Sequence, residues 1–172
     1  MQCYKAPLPV TLPGIQFIPV GMMEIRNYGL PTSHSMYQSN RVDEEIKSFL
    51  DWETNGIQLD RGGIYAKKVQ VTTIQNHDSQ MRAYLGFVVA AYKRNVDDIS
   101  ITAYLETEIF FSFVSFLMER KVSRGHLLHH ISLANKIVAF LKSKSEDDDQ
   151  VQHCKRLSQW LSVSIMTDLL TD

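Results

Sequence analysis

The chain has 172 residues, of which 44% are apolar and 22% charged, so it can build a real core and is not disordered throughout. A formal net charge of −1 excludes a uniformly basic nucleic-acid coat and an acidic tail protein. Two cysteines, Cys3 and Cys154, exclude a disulfide scaffold, a four-thiol zinc site and an iron–sulfur cluster, and they fit a reducing intracellular compartment.

All five prolines (Pro7, Pro9, Pro13, Pro19 and Pro31) fall in the first 31 residues. Proline removes a backbone donor and pushes its predecessor out of the helical region, so residues 1–38 are expected to form an extended or irregular arm. The start of the chain lacks the charged residues and apolar run of a secretory signal. Val42, Ile46, Phe49 and Leu50 then make a short helical stripe, opened by Asp43, Glu44 and Glu45, and Gly56–Gly63 reads as a loop. From Met81 the positions Tyr84, Leu85, Val88, Val89 and Tyr92 repeat at helical spacing, despite a cost of about 1 kcal/mol at Gly86.

Leu105–Arg120 is apolar nearly all round, as in a central buried helix, although a phenylalanine-rich run also suits a strand. Its most apolar window, Ile109–Met118, is about ten residues long and broken by Ser112 and Ser115, whereas a bilayer span needs roughly 20. Ser123 is placed to cap the next helix, whose stripe Leu127, Ile131, Ala134, Val138 and Leu141 advances by 4, 3, 4 and 3. The run Ser145–Asp149 breaks and caps. Val151, Cys154, Leu157, Leu161 and Ile165 stripe a last helix, with Trp160 beside it. Trp160 and Tyr84 read as core rather than stacking platforms. The expected architecture is all-α: four helices over roughly residues 76–170, preceded by the arm and a short helix. Three parts follow: arm 1–38, short helix and loop 39–72, helical domain 73–172.

The near-zero net charge conceals an asymmetry. Residues 1–60 carry four basic and seven acidic side chains, and residues 145–172 carry two and six. Residues 61–144 carry twelve and six, a net of +6. Cations cluster at Lys93–Arg94, at Arg120, Lys121 and Arg124, and at Lys136, largely where helices begin or end. A helix N-terminus beside three cations is a good phosphate contact; the alternative is an ordinary solvated loop.

Other chemistry is sparse. There is no phosphate-cradling glycine loop, no Gly-x-Ser-x-Gly elbow and no His-Glu-x-x-His pair. His126 and His130 stand four apart, the spacing that places two metal ligands on one helical face, but that helix has no Asp or Glu to supply a third. No metal site and no cofactor are expected, and these histidines read as facing solvent or DNA. The Asp147–Asp149 run lacks the alternation and glycine of a calcium loop.

Phe113-Val114-Ser115-Phe116-Leu117, the basic turn Arg120-Lys121-Val122-Ser123, and Ile131 through Phe140-Leu141 together resemble the helical core-binding domain (SAM-like) of tyrosine recombinases and phage-type integrases. Gln80–Phe87 corresponds to that domain's first helix and Leu157–Ile165 to its last, and the likeness covers roughly Thr73–Leu170. The sequence departs from the family where His126 and His130 stand in place of the threonine and the tyrosine or leucine that face DNA. The resemblance implies an isolated clamp on duplex DNA. Its contacts would be Arg120, Lys121, Arg124, His126, His129, Lys136, Lys93 and Arg94. In the family, strand cleavage belongs to a second domain carrying a tyrosine nucleophile. No tyrosine follows Tyr104 here, so no catalytic residue is expected and cleavage would fall to a separate recombinase chain, or the module would self-associate. No membrane and no small-molecule substrate are expected. The expected location is intracellular, in the nucleus of a eukaryote or the cytoplasm and nucleoid of a prokaryote. Two rival readings stand beside this one: a helical protein–protein interaction module docking through the arm or the Leu127–Leu141 stripe, and a small histidine-dependent enzyme on the His126–His130 face.

Overall fold

The computed structural model describes the backbone of residues 40–60 and 69–170, and side chains over 41–55 and 69–161. The expected arm 1–38, residues 61–68 of the expected loop region and the Ile165 side chain lie outside what is described. Five α-helices follow in order: α1 (Asn40–Asp60), α2 (Val71–Tyr92), α3 (Thr107–Glu119), α4 (Arg124–Lys144) and α5 (Asp148–Leu170). Two 3-10 helices, Val96–Asp98 and Ile101–Leu105, join α2 to α3. The described residues are all-helical, and none of their helices is long and apolar enough to cross a membrane.

α1 departs from expectation in length. It runs 21 residues, through Gly56, where a loop was expected. One interior glycine costs about 1 kcal/mol, too little to stop an otherwise helical run. Val42, Ile46 and Phe49 join the same core as the later helices, so α1 and the domain expected to start at residue 73 share one hydrophobic centre. α2 likewise starts at Val71, its first amides closing on the Gln70 carbonyl at 2.9 and 3.2 Å.

α3 is the expected buried helix, and the strand alternative falls. Phe113, Phe116, Leu117, Ile131, Val138 and Leu161 are buried together, as are Tyr84 and Cys154. Trp160 is half-buried, its ring edge-on to Phe111 with centroids 3.7 Å apart. The Ser112 hydroxyl, sunk in this apolar surface, donates to the Glu108 carbonyl at 3.0 Å, which satisfies it within its own helix.

The unexpected element is the 3-10 helix Ile101–Leu105, which lies against all five α-helices. A short segment at the centre of a core must find partners for its backbone polar groups. Tyr84 of α2 donates its hydroxyl to the Ala103 carbonyl at 2.8 Å, and the Ile101 amide donates to the Glu45 carboxylate of α1 at 2.9 Å. His153 of α5 stands 3.0 Å from the Leu105 carbonyl.

Candidate nucleic-acid interface

The turn between α3 and α4 is built from two helix ends. α3 closes with the Lys121 amide on the Met118 carbonyl (2.9 Å) and the Val122 amide on Leu117 (3.3 Å). Lys121 itself takes the left-handed conformation at φ 57°. These bonds form a Schellman cap, in which the left-handed position favours glycine. Val122 packs against the core and anchors the turn. Ser123 then caps α4 as expected, its hydroxyl accepting from the His126 amide at 3.2 Å. Lys121, Arg124, Gly125, His126 and His129 are all exposed, and a Cβ at Gly125 would meet nothing within 4 Å. The Arg120 guanidinium lies over the Phe116 ring, 4.5 Å from its centroid, which orients it at the same turn.

Two features of this turn run against local stability. The first turn of α4 has no acidic residue and instead places Arg124 at the positive end of the helix dipole. Lys121 occupies a left-handed site where glycine would be unstrained.

The other expected contacts are elsewhere. Arg94 grips Glu106 with both terminal nitrogens, at 2.6 and 2.5 Å, and that hydrogen bonding raises its pKa further. Glu106 is the N-cap of α3, whereas Arg120 is its C-cap. At 1.5 Å per residue, Lys93–Arg94 and the α3–α4 turn are therefore about 20 Å apart. Lys136 lies about 18 Å along α4 from Arg124 by the same rise. It pairs with Glu53 of α1 at 2.6 Å and so is not a free phosphate contact. Of the eight expected residues, the fold gathers Arg120, Lys121, Arg124, His126 and His129, and it separates Lys93, Arg94 and Lys136 from them.

His130 does not face DNA or solvent. It is only 2% exposed, its ring edge-on to Phe113 with centroids 5.1 Å apart. Burial, together with the neighbouring His126 and His129, lowers its pKa to about 4. The periodicity held the signal, since His130 stands three residues after Leu127 on the buried stripe.

The sequence reading missed a charged cluster inside the molecule. Glu53 is fully buried at the next stripe position after Val42, Ile46 and Phe49. Its carboxylate meets His77 Nδ1 at 2.6 Å and Lys136 Nζ at 2.6 Å. Burial pushes the Glu53 carboxyl up, but the hydrogen bonds and charges of His77 and Lys136 outweigh it and hold the carboxyl below its ordinary pKa.

Of the two rival docking surfaces, the arm lies outside the described residues and the Leu127–Leu141 stripe is not open to a partner. Leu127, Ile131, Ala134, Val138 and Leu141 are all buried in the chain's own core, and among the described residues Val71 is the one large apolar side chain left exposed. Also among the described residues, no three histidine, cysteine, aspartate or glutamate side chains are grouped to hold a metal ion. No family model, curated protein or solved structure matches the chain.

Proposed function

We propose that the chain is a non-enzymatic clamp on duplex DNA, resembling the core-binding domain of tyrosine recombinases, that holds backbone phosphates at the α3–α4 turn. The observation that carries this reading is the placement of positive charge where local stability opposes it: Lys121 at a glycine site and Arg124 at a helix N-terminus. Local rules are broken where function outweighs stability. A phosphate would complete the site, accepting from the α4 N-terminus while neutralising Arg120, Lys121 and Arg124. Contacts of this kind fix position on the duplex without reading sequence, so binding is weak and nearly sequence-independent.

Among the described residues, no tyrosine is placed to cleave a strand, which supports a clamp that leaves cleavage to another catalytic centre. Tyr84 and Tyr104 are buried, and burial raises both hydroxyl pKa values, so neither can reach or attack a phosphodiester. Tyr92 is half-buried and raised in the same way. Such a clamp works where the DNA is, in a nucleus or nucleoid.

The test pairs binding with stability. Arg124→Glu and Lys121→Gly should each weaken duplex binding in fluorescence anisotropy. Each should also leave the fold as stable or more stable, by up to about 1 kcal/mol, because each repairs a local defect. Arg124→Glu should flatten the log–log salt dependence by about one unit or more. Binding unchanged by both substitutions, or absent from wild type at low salt, rejects the reading.

A further inference from the structure

His126 and His130 form the best-defined pair of potential metal ligands outside the phosphate contacts. Their Nε2 atoms approach to 3.2 Å, one turn apart on α4, with ring centroids 4.8 Å apart and planes inclined at 76°. Metal–nitrogen bonds of about 2.0–2.1 Å would span about 2.9 Å at a right angle and about 3.4 Å at the tetrahedral angle. The observed separation falls between these limits, so one ion fits both nitrogens without moving the backbone. We infer that His126 and His130 chelate a single divalent first-row transition ion, such as Cu²⁺ or Zn²⁺, through their Nε2 atoms. This goes beyond the DNA reading and does not depend on it.

The surroundings suit the task unequally. Packing against Phe113 fixes the His130 ring, with its Nε2 turned toward His126. His126 is exposed, so the remaining coordination positions open to water. Without metal, one Nε2 carries the proton that bridges to the other. Chelation needs both lone pairs, so that proton must move to Nδ1 of its own ring, with no net release from two neutral imidazoles. Arg124 and the positive end of the helix oppose a cation, and there are only two protein ligands. The site is therefore weak and exchangeable, and it takes Cu²⁺ most tightly in the divalent series.

The test uses the full chain without a polyhistidine tag, titrated with Cu²⁺ and followed by calorimetry and electron paramagnetic resonance. Wild type should bind one ion with two nitrogen donors, and Mg²⁺ should not compete. His126→Asn, which removes the ring bonded to the buried His130, should stay folded with at most a modest fall in the metal-free melting temperature. It should lose the two-nitrogen signal and weaken binding by about a hundredfold or more, since loss of even an outer-shell partner costs roughly 10–100-fold. His129→Asn should behave as wild type. A two-nitrogen signal retained in His126→Asn, equal loss in His129→Asn, or no binding by wild type overturns the assignment.

Discussion

Replacing Lys136 with methionine tests whether this residue is a DNA contact or a structural counter-ion. Glu53 is 0% exposed while the Lys136 side chain is 41% exposed, so the two ends of the pair are unequal. Removing lysine leaves a buried carboxylate with His77 as its remaining hydrogen-bond partner. Breaking a buried pair costs about 3–5 kcal/mol when the surviving charge is left uncompensated, and here His77 still meets part of it. The exposed lysine end was already screened by water, which places the loss near the lower limit, about 3 kcal/mol. The folded carboxyl titrates below its ordinary value, so its contribution is present above the unfolded pKa of 4.5 and is lost as pH falls through the folded value. Urea unfolding should accordingly show the full penalty at pH 7 and a smaller one below pH 4.5, with the m-value unchanged. Adding Glu53→Gln should recover part of the loss, since it removes the orphaned charge. DNA binding by the folded variant should match wild type. A penalty under about 1 kcal/mol, or a double variant no more stable than the single, would refute the pairing argument.

Two further outcomes concern the core. Phe113 is fully buried among Tyr84, Phe87, Phe110 and His130, and Phe113→Ala should cost about 3–5 kcal/mol in thermal or urea unfolding. Tyr84→Phe should cost about 0.5–1.5 kcal/mol, the net worth of one hydrogen bond, because the Ala103 carbonyl keeps the Glu106 amide at 3.1 Å, and amide exchange around residues 101–105 should quicken.

What could be read from the sequence follows from how local each signal is. The α4 stripe advances by 4, 3, 4 and 3 and ends in the core, and Ser123 caps it three residues before the amide it accepts from. Both relations lie within one or two helical turns. The 3-10 helix at 101–105 has no period to detect, and its tethers come from Glu45, Tyr84 and His153, 56, 19 and 48 residues away. Glu53 is the sharper case. Its position continues the spacing of Val42, Ile46 and Phe49, yet a carboxylate there reads as the end of a stripe. The partners that make it a core residue lie 24 and 83 residues distant. The pairing of Lys136 was hidden for the same reason, since a cation looks free until its counter-ion is brought to it.

Folding therefore pairs several of the basic side chains internally and gathers others at one turn. Arg82 is held by Asp43 at 2.7 Å and by Asp78 at 3.2 Å, Arg94 by Glu106, and Lys136 by Glu53. These cations neutralise the protein's own carboxylates, and exchanging them for phosphate contacts would forfeit internal pairs. Arg120, Lys121 and Arg124 stand at a single turn, at helix ends rather than along a packed face. If all six cations first expected at DNA made contacts, the log–log salt slope would be about −5.4, and affinity would fall nearly two-thousandfold for a fourfold rise in salt. Three contacts give about −2.7 and a fall of roughly fortyfold. The two slopes are far enough apart for one titration to decide between them, and the internal pairs of Arg94 and Lys136, together with the distance of Lys93 from the α3–α4 turn, argue for the shallower.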